Sequence, residues 1–178
     1  GTIYDRKMRE LAVSVPVSSL YANPTKVTDS RSVAAGISPV LGIDAEELAG
    51  KLSHPRSFVW IQRKMAPSQT GKITALNLPG LGFVKENKRY YPKRTLAAQL
   101  LGFVGTDNRG LEGLEFMYDR YVGGNPSLVL VEKDAKGRKI NASGRTLREG
   151  AKGLDIVLNI DETVQYITEK ELTRQVTE

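Results

Sequence analysis

The hydrophobic pattern near the start of the chain alternates with a period of two. In LAVSVPV, residues 11–17, the apolar residues at odd positions share one face, which predicts a half-buried strand. Pro16 favours the edge of a sheet for this strand. The short β-prone run TIY precedes it, so residues 3–17 are predicted to form a hairpin.

Two short helices are predicted next from their capping residues. Asp29 or Ser30 is suited to cap the first helix, which ends at Gly42. Asp44 is suited to cap the second, in DAEELAGKL, where carboxylates occupy the first turn and a lysine lies near the end.

The rest of the chain mixes strands and short helices. SFVWIQRKM predicts a buried strand, because its β-branched and aromatic residues occupy both faces. The other predicted elements are a weak helix in PSQTGKITAL, an extended segment in FVKENKRYYP, a short helix in TLAAQLL, a single helix in RGLEGLEFMYDRYVGG closed by Gly123 and Gly124, a hairpin in SLVLVEKDAKGRKIN turning at DAKG, a strand in GLDIVLNI and a helix capped by Asp161 in DETVQYITEKELTRQ. Strands and helices do not follow a βαβ rhythm, so the fold class is α+β.

Composition excludes several kinds of chemistry. The chain has no cysteine, so it has no disulfide, thiolate metal site or cysteine nucleophile. Its one histidine, His54, cannot supply a multi-histidine metal site, and we expect no metal and no cofactor. The net charge of +6 over 178 residues makes an anionic partner possible.

No catalytic motif is complete. APSQTGKI lacks the first glycine and the Ser or Thr of a phosphate-binding loop, and GLGFVK lacks the third glycine of a dinucleotide fingerprint. No serine is followed by lysine three residues later, so the S-x-x-K pair of an acyl-enzyme site is missing. We predict no catalytic residue, and therefore no enzyme activity, in this chain by itself.

Two alternatives remain open at this point. The run KENKRYYPKR, residues 85–94, combines five cations with two aromatic residues, as a nucleic-acid-binding surface would. Acidic residues could instead act on a glycan, which would require two carboxylates facing one cleft.

The predicted helix at residues 109–124 carries three acidic residues. On a helical wheel Glu115 lies roughly 65° from the centre of the apolar stripe, whereas Glu112 and Asp119 point to solvent. A carboxylate at the border of the core needs a partner, because an unpaired buried charge costs several kcal/mol. Three arginines are candidates: Arg6, Arg89 and Arg109. This helix therefore indicates a structural joint.

The motifs of the chain resemble those of class B penicillin-binding proteins. GTIYDRKMRELA resembles their opening motif R-G-x-I-x-D-R-x-G-x-x-L-A, RYYP resembles R-x-Y-P, and GLEGLEFMYDRYVGG resembles G-x-x-G-x-E followed by a helix. DAKGRKI is similar to D-x-x-G-x-x-I, and LNIDETVQYITEKEL to L-x-I-D-x-x-x-Q-x-x-x-E-x-x-L. The motifs occur in the family's order along nearly the whole chain. LAVSVPV and KRYYP are most similar to the division-specific, septal members, with the side-wall elongation members as the alternative.

The resemblance implies an elongated, non-catalytic pedestal, or dimerisation, module at residues 1–150. Residues 151–178 would begin a transpeptidase domain that is cut off in this chain. Such a module lifts a D,D-transpeptidase from the bacterial inner membrane towards the peptidoglycan, so an extracytoplasmic, periplasmic location is implied. The chain looks cut at both ends, and a membrane anchor would precede Gly1.

Site residues and partners are also implied. Carried over by position, a packed polar motif core consists of Asp5, Arg6, Arg89, Tyr91, Pro92, Gly110, Gly113 and Glu115. The implied partners are a polytopic glycan polymerase and other divisome proteins, but not nucleic acid. We expect an exposed surface that includes Lys85, Lys88 and Lys93 to contact them.

Two positions depart from the family pattern. Met8 and Arg94 stand where the motifs have glycine, which in such turns usually supplies a positive φ. We therefore expect these two turns either to adopt another geometry or to carry backbone strain.

Overall fold

The computed structural model describes residues 1–125, 128–130, 145–148 and 150–177. Mixed α and β elements make up the fold, so the predicted α+β class is confirmed. The chain divides into two compact units, one formed by residues 1–14 with 89–178 and the other by residues 15–88. Strands β2 and β4 contribute residues to both units.

The unit of residues 15–88 packs helices against one face of a small sheet. In chain order its elements are β2 (Glu10–Ala22), a 3-10 turn (Pro24–Lys26), α1 (Ser30–Leu41), α2 (Ala45–Ser53), β3 (Val59–Met65), α3 (Pro67–Ala75) and β4 (Leu81–Tyr90). Strand β3 runs antiparallel to β2, and β4 also pairs with β2. The core is a cluster of apolar residues from both layers: Leu20, Ala22, Val33, Ala34, Ile37, Leu41, Leu48, Ala49, Leu52, Ile61, Met65 and Ile73.

The predicted helix caps are confirmed. The Asp29 carboxylate accepts the backbone N–H groups of Arg31 and Ser32 at 3.1 and 3.0 Å, and Gly42 ends α1 with a φ of 68°. Asp44 accepts two N–H groups of the first turn of α2 in the same way. Caps of this kind depend only on neighbouring residues, which is why the sequence predicts them.

Two predictions about strand burial are wrong. In SFVWIQRKM only Ile61 and Met65 are buried, since the helices cover one face of β3 and leave the other exposed. In β2 the predicted alternation does not hold, because Val15 is exposed. Leu11 and Ala12 pack in the core of one unit, whereas Leu20 and Ala22 pack in the core of the other, so no single core-facing side runs along residues 11–17.

The other unit is built around the first hairpin. Strand β1 (Ile3–Tyr4) pairs antiparallel with the start of β2, which confirms the hairpin, and parallel with β7 (Ile156–Val157). The remaining elements are α4 (Ala98–Leu101), α5 (Gly113–Met117), α6 (Asp119–Val122), β5 (Leu128–Leu130), β6 (Arg145–Arg148) and α7 (Glu162–Thr177). Its core consists of Ile3, Leu11, Ala12, Leu96, Ala97 and Leu101.

The predictions for the last third of the chain have mixed outcomes. Strand β5 pairs antiparallel with β6, while the predicted turn at DAKG lies outside the described residues. The predicted strand GLDIVLNI is reduced to two residues. Helix α7 begins after Asp161, whose carboxylate accepts the Thr163 N–H at 2.9 Å, as predicted. In the part of the chain that is described, no helix has the length and apolarity required to cross a bilayer.

The single helix predicted at residues 109–124 is two short helices. Helices α5 and α6 are separated at Tyr118, whose ψ of 14° interrupts them. The helical wheel therefore assumed a continuity that does not exist. Its result for Glu115 nevertheless agrees with the structure, because this residue is buried and Glu112 is exposed.

Met8 and Arg94 both adopt the left-handed conformation. Their φ angles are 61° and 55°, so the turns keep a backbone that suits glycine while holding a larger residue. The left-handed region costs a residue with a Cβ roughly 1–2 kcal/mol. The structure therefore shows backbone strain at these turns, which is one of the two outcomes expected from the sequence.

Replacing Arg94 by glycine should stabilise the protein. We expect the free energy of unfolding to rise by about 0.5–1 kcal/mol, since the relieved strain exceeds the entropy that glycine adds to the unfolded chain. Urea denaturation would measure the change. Thr95→Gly is the matched control, because Thr95 is also exposed but lacks a positive φ, and it should lower stability. An equal loss of unfolding free energy in both variants would show that Arg94 is not strained.

Candidate functional site

A buried ion pair lies where the motifs at the two ends of the pair, RYYP and GLEGLEF, meet. Arg89, near the end of β4, donates from Nε to the Oε1 atom of Glu115 on α5 at 2.7 Å. The two side chains are only 4% and 3% exposed. Arg89 Nη1 also donates to the Gly1 carbonyl at 2.5 Å and to the Ser14 hydroxyl at 3.1 Å. Of the three candidate arginines, the structure pairs Arg89 with Glu115.

Tyr91 completes this centre. Its hydroxyl donates to Glu115 Oε1 at 3.3 Å. Burial, followed by the negative charge of Glu115, raises the pKa of Tyr91 to about 12. The phenol is therefore neutral at physiological pH and serves as a hydrogen-bond donor.

Pro92 occupies the turn that leads away from the centre. The Arg94 N–H donates to the Tyr91 carbonyl at 3.0 Å, which places Pro92 at the second position of a β-turn. The fixed φ of proline suits that position. Pro92 therefore shapes the chain beside Tyr91 and contributes no polar side chain.

Two glycines allow α5 to approach its neighbours. A Cβ at Gly110 would overlap the Glu115 carbonyl, and one at Gly113, whose φ is 60°, would overlap the backbone of Gly102. The Gly110 N–H donates to the Asp119 carboxylate at 2.8 Å, so Asp119 is engaged rather than solvated, which corrects the prediction from the helical wheel. Close backbone contact at these glycines places Glu115 beside Arg89.

Asp5 forms a second buried polar cluster. Its Oδ1 accepts the N–H groups of Lys7 and Arg9 at 2.8 and 2.9 Å, and its Oδ2 accepts Arg9 Nε at 2.8 Å and the Glu162 N–H at 3.1 Å. Burial by itself would raise the pKa of Asp5. The hydrogen bonds from Arg9, Glu162 and Lys7 outweigh burial and hold this pKa well below its usual range.

The cation in this cluster is Arg9, not Arg6. Arg9 Nη2 lies 2.6 Å from Asp5 and 2.8 Å from Asp161, whereas Arg6 is exposed and contributes its backbone N–H to the Ile160 carbonyl. The predicted place of Arg6 in the polar core is therefore wrong. The tight turn of residues 5–9 brings the chain back to Asp5 after four residues. The four-residue spacing between Asp5 and Arg9 was the sequence feature that could have identified Arg9 as the partner.

The cluster also holds the start of α7. Lys7 lies 2.8 Å from Asp161, and this hydrogen bond is the leading reason that the pKa of Asp161 is lowered. Together with the bond from the Glu162 N–H to Asp5, this contact fixes the first turn of α7 against the hairpin. Negative charge at a helix N-terminus is also favourable to the helix dipole.

The predicted lysine surface is less coherent than expected. Lys85 and Lys88 are exposed on β4, but they lie three residues apart, so strand alternation points them to opposite faces. Lys93 belongs to the other unit and forms an ion pair with Glu162 at 2.9 Å. The partner surface stays a prediction.

The arrangement suits a structural role. The buried carboxylates of Glu115 and Asp5 each accept hydrogen bonds from positively charged side chains. Within the described ranges, no group of three or more His, Asp or Glu residues is placed to hold a metal ion. The polar core therefore joins chain segments that are far apart in sequence.

Removing Glu115 tests the importance of the buried pair. We expect Glu115→Ala to lower the free energy of unfolding by roughly 3–5 kcal/mol, because Arg89 would stay buried without its partner. Thermal or urea denaturation would measure the loss. Glu112→Ala is the matched control three residues earlier, and being exposed it should change stability by less than about 0.5 kcal/mol. Equal stability of the two variants would show that the pair is dispensable.

Comparison with known proteins agrees with the motifs. Residues 1–158 match the family model described as the penicillin-binding protein dimerisation domain. The peptidoglycan D,D-transpeptidase FtsI of Escherichia coli is 34% identical over 183 residues, which cover 99% of this chain and 31% of that protein. The stage V sporulation protein D of Bacillus subtilis is 31% identical over 175 residues, covering 97% of this chain and 27% of that protein. The chain thus spans about a third of the length of these relatives.

Solved structures show the same fold. A peptidoglycan synthetase from Bifidobacterium adolescentis is 29% identical with a TM-score of 0.58, and the match covers 96% of this chain and 36% of that one. A penicillin-binding protein from Helicobacter pylori, solved in complex with MreC, has a TM-score of 0.69 at 20% identity, with the same coverage, and supports the fold alone. The chain therefore belongs to the penicillin-binding protein dimerisation domain family.

Proposed function

We propose that this chain is the non-catalytic pedestal of a class B penicillin-binding protein and positions a D,D-transpeptidase domain that follows it. The buried centre carries the proposal. Three chain segments separated by up to about a hundred residues meet in one hydrogen-bonded group. The first supplies Gly1 and Ser14, the second Arg89 and Tyr91, and the third Glu115. Such a joint gives a module the rigidity that positioning requires.

The proposed boundary between the pedestal and the transpeptidase domain lies near residue 150. The family match ends at residue 158, which supports a change of domain in this region. Helix α7 would then be the first helix of the transpeptidase domain. The contacts of Asp5, Lys7 and Arg9 with Asp161 and Glu162 would fix that helix to the pedestal.

We place the protein on the extracytoplasmic face of a bacterial inner membrane, where peptidoglycan is cross-linked. A role in septal synthesis is supported by the similarity to FtsI over nearly the whole chain. The enzyme activity would reside in the following domain, because this chain lacks the S-x-x-K pair that forms an acyl-enzyme.

The full-length protein should bind penicillin covalently. Its coding sequence is expected to continue into S-x-x-K, S-x-N and K-T-G or K-S-G motifs, and the whole protein should take up a fluorescent penicillin through that serine. The 178-residue chain should take up no fluorescent penicillin. The control is the full-length protein with the serine of its S-x-x-K motif replaced by alanine. A full-length protein without these motifs, or one that is not labelled, would contradict the proposal.

We further propose that the pedestal binds a membrane-embedded glycan polymerase and other division proteins. One protein of this fold, from Helicobacter pylori, was solved in complex with MreC, which motivates a search for protein partners. Lys85 and Lys88 are both exposed but lie on opposite faces of β4, so each is a separate basic position for such contacts. Lys93 is less suitable, because its charge is engaged by Glu162.

Charge reversal tests this partner surface. Lys85→Glu with Lys88→Glu should weaken co-purification of the polymerase with the full-length protein by roughly tenfold, because like charges would then meet across the interface. Lys72→Glu, an exposed lysine on α3 of the same unit, is the matched control and should leave capture unchanged. Undiminished capture by the double variant would exclude a charge contact at either position.

A further inference from the structure

The outer face of the sheet in the unit of residues 15–88 carries exposed aromatic side chains. Leu20, Ala22 and Ile61 point into the core, so alternation turns Tyr21 and Trp60 to the other face. These two residues are register partners on β2 and β3, which places their side chains next to each other.

Tyr21, Phe58 and Trp60 form what we call the aromatic row. The rings of Tyr21 and Phe58 are stacked, with centroids 5.0 Å apart and planes 20° apart. Phe58 and Trp60 meet edge to face at 4.9 Å. A Cβ at Gly82 of β4 would overlap the Tyr21 ring, so this end of the row lies against β4. Phe58 is 44% and Trp60 36% exposed.

Polar groups border the aromatic row. The Arg63 guanidinium lies 5.3 Å from the centre of the Trp60 ring and forms an ion pair with Glu86. Glu86 also accepts the hydroxyl of the buried Ser19. The hydrogen bond from Arg63 is the largest effect and lowers the pKa of Glu86. Burial opposes it, but the Ser19 bond adds to the lowering, so Glu86 is a carboxylate at neutral pH.

Two further groups complete the border. The Oε1 atom of Gln62, two residues after Trp60, is buried and has no hydrogen-bond partner in the structure, so it is an acceptor in need of a donor. Lys88 is exposed, and alternation along β4 places it on the same face as Gly82 and Glu86. The border thus has a carboxylate and a buried, unpartnered amide oxygen beside the rings, and a cation further along the strand.

We propose that the aromatic row is a glycan-binding site. The C–H faces of pyranose rings are flat and apolar, so they stack on exposed aromatic rings, and sugar hydroxyl and acetamido N–H groups donate to a neighbouring carboxylate such as Glu86. Lys88 complements the carboxylates of peptides attached to the glycan. Glycan binding rests on this surface alone, whereas the choice of peptidoglycan as its natural ligand rests on the proposed function.

The carboxylate beside the rings distinguishes a glycan from a nucleic acid. Single-stranded nucleic acids also stack on aromatic residues, but they require a groove of positive charge along the phosphates. On this face the ionised Glu86 engages Arg63 next to Trp60. A phosphate backbone laid along the aromatic row would approach that carboxylate, whereas a neutral sugar would donate hydrogen bonds to it.

Tryptophan fluorescence gives a direct test, because Trp60 is the only tryptophan in the chain. We would titrate the chain with a β-1,4-linked N-acetylglucosamine tetramer and with a disaccharide–tetrapeptide fragment of peptidoglycan. Both should change the emission of Trp60 saturably. Phe58→Ala should weaken binding by roughly tenfold or more, since it removes a stacked ring.

Phe103→Ala is the matched control. Phe103 is exposed to a similar extent but belongs to the other unit, so this variant should bind both fragments like the parent. Circular dichroism would verify that each variant is folded. Calorimetry with Trp60→Phe should still detect binding after the fluorescence signal is lost.

Three results would overturn the inference. The first is that neither fragment changes the Trp60 emission saturably. The second is that Phe58→Ala and Phe103→Ala bind the fragments with equal affinity. The third is that the chain binds an oligothymidylate more tightly than both fragments at physiological salt. If penicillin labels the full-length protein while the titrations fail, only this inference is lost. If the tetramer binds but no transpeptidase follows, the proposed function fails and the glycan site remains.

Discussion

Two charged side chains, Arg89 and Glu115, lie almost entirely out of water and contact each other at 2.7 Å. Removing two charges from water costs several kcal/mol for each ion, and only close pairing with further hydrogen bonds offsets that cost. The end of β4 and the start of α5 must therefore meet wherever this unit folds. Tyr91, Ser14 and the Gly1 carbonyl supply the further bonds, which extends the same constraint to the first hairpin.

The turn at Met8 shows the same priority of the buried network over local preference. Met8 has a φ of 61°, which is unfavourable for a residue with a Cβ. Its turn nevertheless brings the N–H groups of Lys7 and Arg9 onto the buried Asp5 carboxylate. Leaving a buried carboxylate without these donors would cost more than the strain of one left-handed residue. The hydrogen bonds of Asp5 thus set the geometry of the turn, even where glycine is absent.

Sequence reasoning succeeded where a local rule determines the structure and failed where packing does. The caps at Asp29, Gly42 and Asp44 involve residues within one turn, so they could be predicted. Glu115 was expected to pair with an arginine because burying an unpaired carboxylate costs several kcal/mol. Which of the three candidate arginines pairs with it could be told only from the folded structure. Aromatic residues in SFVWIQRKM indicated a strand without revealing which face the helices cover. The break at Tyr118 carried no proline or glycine at that position, so a single helix was the natural prediction.

The engagement of the acidic residues determines where function can reside. A glycan-cleaving pair needs one protonated carboxyl group as a general acid, held in a cleft opposite a second carboxylate. Asp5 and Asp161 instead have lowered pKa values because cations and N–H groups hold them ionised, and Glu115 is occupied by Arg89 and Tyr91. Charges committed to holding the fold are not available for proton transfer. What the unit of residues 15–88 exposes is different in kind, because two rings of its aromatic row, Phe58 and Trp60, face solvent, where a ligand can reach them.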